Sequence, residues 1–307
     1  MTILASRLQH SAPAAPVARL VAASKQYGKT LALDSVNLEV RAGEVLAVLG
    51  PNGAGKTTAI SLLLGLLKAD SGNAEVFGMA PDSLAARRRI GAMLQTTAVP
   101  ETLTAGELIS LFRSYYPNPR TVAECVALAG IGELVHSRYG KLSGGQQRRV
   151  QFALALAGNP DILFLDEPST GLDIEAREGL WKTIRKLVAD GCAIVLTTHY
   201  LEEAEALAHR VSVLAHGRIV AEGSIGAIRA RVSQRRIRCV SALASETILC
   251  WPHVRSVTHD GERIEIITDA TESVVRKLLD QDATLSELEI RRAGLAEAFV
   301  EITREAA

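Results

Sequence analysis

The sequence predicts an α/β fold built on a largely parallel sheet, followed by a smaller α+β domain. Three observations carry that prediction. Short apolar runs of strand character alternate with longer helical patterns through the greater part of the chain. A glycine-rich loop, 50–55, joins one of these runs directly to a helix-forming segment. Beyond Gly223 the alternation stops and the composition changes.

Taken in order, residues 1–16 are rich in Ala, Pro and Ser and lack the apolar stretch of a signal peptide, so they read as a disordered arm. Residues 44–49 are strand-like, and the apolar segment 59–67 beyond the loop predicts a helix. Further strand-like runs fall at 90–94, 162–165, 193–197 and 211–214, with helical patterns at 174–189 and 200–208 among them. Strands alternating with helices predict a mostly parallel sheet. Residues 100–157 break the rhythm, read as mostly helical and predict an inserted subdomain. A basic stretch, 229–238, then leads into a small α+β unit, with a domain boundary near residue 230. There the segments 254–259 and 262–267 flank Asp260-Gly261 and predict a hairpin, because Asp-Gly suits a type I′ turn. Val274, Val275, Leu278 and Leu279 have helical spacing.

Composition narrows the function classes. Of 307 residues 48% are hydrophobic and 22% charged, which excludes a disordered chain and suits about two domains. Lys and Arg number 34 against 34 Asp and Glu, so net charge offers no reason to expect nucleic-acid binding. The four cysteines match neither a CxxC pair nor a disulfide framework, and the scattered histidines argue against a structural metal site. No apolar run approaches the ~18 residues of a membrane span. The expectation is a soluble, cytoplasmic chain.

Two motifs carry the chemistry. Gly50-Pro51-Asn52-Gly53-Ala54-Gly55-Lys56-Thr57-Thr58 fits the P-loop spacing in the strand–loop–helix context that motif requires. Its glycines let successive N–H groups point inward on phosphate oxygens, and the helix N-terminus adds positive dipole. Lys56 can reach the β- and γ-phosphates, and the Thr57 hydroxyl can coordinate Mg²⁺. A Gly-rich turn with an exposed lysine is the plainer reading. Asp166-Glu167 closes the buried-type run 162–165. An Asp at such a strand end holds Mg²⁺ in P-loop NTPases, and Glu167 would be placed to orient or deprotonate a water. Alone, the pair could equally be two solvated carboxylates.

Leu142-Ser143-Gly144-Gly145-Gln146 precedes a helix-forming run. Ser143 and Gln146 have capping-box spacing, and a serine with glycine amides at a helix N-terminus also makes an anion site. This segment resembles the LSGGQ signature of the ATP-binding cassette (ABC) family. The resemblance covers residues 17–230, leaving 231–307 as an accessory α+β domain. It implies a P-loop NTPase cassette with a mostly parallel core sheet, an antiparallel β subdomain and an inserted helical subdomain at about 100–157. By the same resemblance Tyr27 stacks on adenine, Gln95 is the Q-loop glutamine, Gly171-Leu172-Asp173 is the D-loop and His199 the switch histidine. Glu167, His199, Lys56 and Gln95 then serve catalysis, with Thr57, Gln95 and Asp166 on Mg²⁺. Two cassettes would pair head to tail as a homodimer or with a homologue, each ATP touching the P-loop of one and Ser143–Gln146 of the other.

The segment after Gln95, through 103–108 to Tyr115 and Tyr116, resembles the stretch where transporter cassettes dock a membrane partner; exposed, the two tyrosines would suit an interface, and core packing is the plainer reading for either. The tail, 285–303, resembles the extension of cassettes serving ABC-2-type exporters, with Ala293-Gly294 where those commonly carry Pro-Ser. The expected function is ATP-driven transport, in the export direction, through a separate integral membrane permease at the inner face of the cell membrane. The alternative is an ABC ATPase acting on nucleic acid or ribosomes. Arg229–Arg238 reads either as a solvated linker face or as a patch for anionic lipid headgroups.

Overall fold

The structure is a computed structural model that describes residues 15–95, 98–230, 235–261, 263–292 and 294–306. The arm expected over 1–16 lies outside these except for Ala15 and Pro16, as do residues 231–234 of the basic stretch. The chain divides after Glu222 into two compact units.

The first unit runs β1 (Ala18–Tyr27), β2 (Thr30–Val40), β3 (Val45–Leu49), α1 (Lys56–Leu63), β4 (Ser71–Val76), α2 (Leu84–Arg87) and β5 (Ile90–Met93). It continues with α3 (Ala105–Arg113), α4 (Val122–Ala129), α5 (Gly144–Leu156), β6 (Ile162–Asp166), α6 (Ile174–Ala189), β7 (Ala193–Thr197), α7 (Leu201–Leu207), β8 (Arg210–Ala215) and β9 (Arg218–Gly223). Six strands form the central sheet in the order β5-β6-β7-β3-β8-β9. The pairs from β5 to β8 are all parallel. Strands β3, β6 and β7 are buried along their whole length. Covering both faces is what makes such strands read as unbroken apolar runs. Alternate residues enter two different cores. Val45, Leu163, Leu165, Ile194 and Leu196 pack with the helical segments of 105–157 and with α6. Leu46, Val48, Phe164 and Val195 pack with α1 and a second, antiparallel sheet of order β2-β1-β4.

Pattern reading of the residues missed that second sheet, because its register shifts repeatedly between Leu20 and Gln26 and the two-residue period is lost. The helix expected at 59–67 is also displaced. It begins at Lys56 and ends at Leu63, since Gly65 turns the chain with φ +65° beside the backbone of Asp82. The helical subdomain starts its helices on side-chain caps: Thr104, Thr121 and Ser143 each form a capping box, with Glu107, Glu124 and Gln146.

The second unit contains α8 (Ile225–Ala230), β10 (Arg235–Val240), α9 (Ser245–Leu249), β11 (Val254–Asp260), β12 (Arg263–Thr268), α10 (Thr271–Gln281), β13 (Ser286–Arg292) and α11 (Leu295–Glu305). Its antiparallel sheet has the order β11-β12-β10-β13. Ile237, Cys239, Ile264 and Ile266 face Ile248, Val274 and Leu278. The hairpin forms one residue out of the expected frame. Asp260 pairs with Arg263, so Gly261 (φ +66°) is the first loop residue rather than the second. In α10 the buried stripe holds Val274 and Leu278, while Leu279 faces solvent. Helix α8 packs against α11. Among the described residues, no helix is long and apolar enough to cross a membrane.

Candidate nucleotide site

Val48, Thr197 and Asp166 stand side by side in register at the carboxyl ends of β3, β7 and β6. The segments that leave those three strand ends therefore converge, which is where open α/β sheets bind ligands. The loop 50–55 leaves β3 and passes into α1, with Gly55 (φ +106°) at the helix start. Pro51, Asn52, Gly53 and Thr57 are exposed, Thr58 is half-buried and Ala54 is tucked into the core. Lys56 Nζ donates to the carbonyls of Gly50 at 2.7 Å and Pro51 at 3.0 Å. Burial pushes the Lys56 pKa down, and the carboxylates of Glu167 and Asp166 oppose that shift.

Asp166 is buried, and the Thr197 hydroxyl donates to its carboxylate. Glu167 has a left-handed backbone (φ +50°), and its N–H donates to the Thr197 carbonyl at 2.9 Å. Such a conformation costs a non-glycine residue about 1–3 kcal/mol. Its carboxylate lies 3.2 Å from His199 Nδ1. The structure thus joins Lys56, Asp166, Glu167 and His199 into one neighbourhood.

Ser143 caps α5: its Oγ accepts the Gln146 N–H at 3.3 Å, and Gln146 Oε1 accepts the Ser143 N–H at 3.0 Å. Asp173 caps α6 by accepting the Ala176 N–H at 2.8 Å. The two helix starts are in close contact, since a Cβ on Gly145 would fall 2.7 Å from the Gly171 carbonyl oxygen. Gln95, Ser143, Gly144, Gly145, Gln146, Glu167 and Asp173 all line one cavity of about 780 Å³. The loop 50–58 does not line it. Glu167 belongs to both groups. Tyr27 stands apart at the exposed end of β1, its ring free to present a face.

Arg148 is the residue that sequence reasoning missed. Its guanidinium donates to the carbonyls of Leu94, Asp166 and Glu167, at 2.7–3.0 Å. The only signal was its place one turn into the helix behind Ser143, which says nothing about what that helix approaches. Of the paired tyrosines, Tyr115 is exposed, whereas Tyr116 is half-buried with its ring packed on Gly158. In the described part of the basic stretch, Arg235 pairs with Glu272, Arg236 with Glu265 and Glu297, and Arg238 with Glu265.

The phosphate loop, the strand-end carboxylates and the capped helix on an inserted subdomain define a nucleotide-hydrolysing cassette of the P-loop class. The chain belongs to the ABC transporter family. Residues 33–170 match that family, described as ABC transporter. Over 300 residues the chain is 38% identical to the daunorubicin resistance ATP-binding protein DrrA3 of Streptomyces coeruleorubidus, covering 92% of this chain and 94% of that one. Over 293 residues it is 36% identical to the Nod factor export ATP-binding protein I of Rhizobium sp. (strain N33), covering 92% and 96%. Among solved structures, a dimeric ATP-binding cassette in a post-hydrolysis state with ADP and Pi superposes with a TM-score of 0.62. That match has 28% identity over 67% of this chain and 98% of the other. The chain is an ATP-binding, ATP-hydrolysing subunit of an ABC transporter.

Proposed function

We propose that this chain powers export through a separately encoded integral membrane permease, as a pair of cassettes with two composite ATP sites. One observation carries the composite site. The phosphate loop lies outside the cavity that holds Ser143–Gln146 and Asp173. A second cassette set head to tail would bring its Ser143 helix start to this phosphate loop. Export is supported by the relatives named for drug resistance and Nod factor export, whose similarity runs through the second unit as well. The cassette is the first unit, ending at Glu222 rather than near residue 230, and the second unit, 223–307, is an accessory domain. The chain would sit at the inner face of the cell membrane, held there by the permease.

At each site the loop N–H groups and Lys56 hold the β- and γ-phosphates, and Tyr27 stacks on adenine. Glu167 takes the proton of the attacking water, and His199, 3.2 Å away, orients that carboxylate. The Thr57 hydroxyl, the Gln95 amide oxygen and the Asp166 carboxylate are hard oxygen donors and fit Mg²⁺. When bound, that ion neutralises charge on the β- and γ-phosphate oxygens. Two γ-phosphates bridge the cassettes, and hydrolysis removes the bridge.

Glu167→Gln should retain an ATP-bound dimer while turnover falls by at least about a hundredfold, the usual worth of a general base. Size-exclusion chromatography with ATP and a phosphate-release assay read both. Near-normal hydrolysis would remove Glu167 from the mechanism. Co-purification from detergent-solubilised membranes with a multi-helix membrane protein is expected. Recovery only with ribosomes or DNA would overturn the transport assignment.

A further inference from the structure

Glu167 keeps its left-handed backbone because contacts on both sides of it over-determine the conformation. Its N–H is held by the Thr197 carbonyl at 2.9 Å, and its carbonyl accepts from Arg148 Nη2 at 2.7 Å. The same Nη2 donates to the Asp166 carbonyl at 3.0 Å. Nη1 donates at 3.0 Å both to the Leu94 carbonyl and to Gln151 Oε1. Gln151 Nε2 in turn donates to the Tyr139 hydroxyl at 2.7 Å. One half-buried guanidinium therefore ties the peptide of Glu167 to the residue before Gln95 and to the helix that starts at the Ser143 cap. Its planar fork allows this; an ammonium is a single point of charge and cannot span the same carbonyls.

We propose that Arg148 is a positioning residue for ATP hydrolysis: it locks the Glu167 peptide so that the carboxylate stays beside His199. The proposal rests on Glu167 being the base that activates water. Arg148 makes no hydrogen bond to the phosphate loop, and it meets Asp166 only at the main-chain carbonyl, leaving the carboxylate to Thr197, so its loss should act on the rate and leave phosphate binding largely alone.

The test is steady-state ATPase kinetics on the full chain carrying Arg148→Gln or Arg148→Lys, each alone and combined with Glu167→Gln. With Arg148→Gln, kcat should fall between about tenfold and a hundredfold, as expected of a slightly misplaced group. KM for ATP should stay within about twofold, because the phosphate contacts are intact. Arg148→Lys keeps the charge and a single donor nitrogen, enough to reach one or two of the carbonyls but not the whole set, and should recover part of the rate. It also supplies the comparison if Arg148→Gln does not fold. In the Glu167→Gln background, Arg148→Gln should leave the residual rate unchanged, since a base already removed cannot be mispositioned. A kcat within about twofold of the unmodified protein, or a KM that rises in step with the loss, would overturn the proposal. An equal further loss in the Glu167→Gln background would do the same. Normal hydrolysis by Glu167→Gln alone would instead fail the assignment of the base, which is a separate result.

Discussion

Replacing Gly55 with alanine should damage the phosphate loop in two independent ways. Gly55 has φ +106°, and an alanine held there strains the backbone by about 1–3 kcal/mol. Its Cβ would also fall 2.4 Å from the Ala32 carbonyl oxygen and 2.8 Å from Leu33 Cδ2. The carbonyl belongs to the β2 backbone and cannot swing aside as a flexible side chain would, so the loop must open, at about 1–3 kcal/mol more. Together these give about 2–6 kcal/mol. Gly53 is the internal control: it has φ +79° and nothing within 4 Å of where a methyl would sit, so alanine there meets only the backbone strain. Thermal unfolding and ATP titration of both variants read the difference. At ~2–4 °C per kcal/mol for a unit of this size, Gly55→Ala should melt at least about 4 °C low, and Gly53→Ala should lose less. ATP affinity of Gly55→Ala should drop at least about tenfold, the equivalent of ~1.4 kcal/mol of lost phosphate contacts. Equal melting of the two variants would refute the steric argument, and undiminished ATP binding by Gly55→Ala would refute the loop assignment.

Two further predictions concern the second unit. Asp282 accepts the hydroxyls of Ser241 and Thr284 and the N–H groups of Ala242 and Thr284, and these bonds hold its carboxyl well below the usual carboxylate range. Because the folded pKa lies below the unfolded value of ~3.9, this stabilisation is complete above about pH 4 and is lost as pH falls toward the folded value. Melting against pH should show that acid branch, and Asp282→Asn should flatten it; an unchanged acid slope would refute the account. Replacing Arg235, Arg236 and Arg238 with glutamine should leave sedimentation with anionic-lipid vesicles unchanged, since carboxylates of the same unit already pair with them. The expected loss is one of stability, at most ~1 kcal/mol per exposed pair, and weakened vesicle binding would restore the lipid reading.

What could be read without coordinates was local. The phosphate loop needs particular backbone angles within a few consecutive residues, and only certain residues supply them. Ser143 and Gln146 cap the helix that begins between them. Buried strands β3, β6 and β7 announce themselves because both faces are covered. Elsewhere the pattern failed for identifiable reasons. Bulges hid the antiparallel sheet from a period-two reading, and it was anticipated only through the family resemblance. Asp260-Gly261 was located as a turn, but pairing of Asp260 with Arg263 moved the register by one residue. Tyr115 and Tyr116 are indistinguishable as letters, and only the packing against Gly158 separates them.

The sequence by itself determined the chemistry on offer: a cradle of N–H groups for phosphate, a lysine beside it, two carboxylates at a strand end and a capped helix start. These follow from short-range backbone geometry, which neighbouring residues dictate. The tertiary structure alone decided which of these groups meet. The strand order β6-β7-β3 sets Asp166, Thr197 and Val48 in one row, and so brings Glu167 to His199 and within the field of Lys56. The approach of α5 to the ends of β5 and β6 places Arg148 on the Glu167 carbonyl. No spacing along the chain encodes either meeting, because both depend on which strands lie side by side and on how closely a helix packs across their ends.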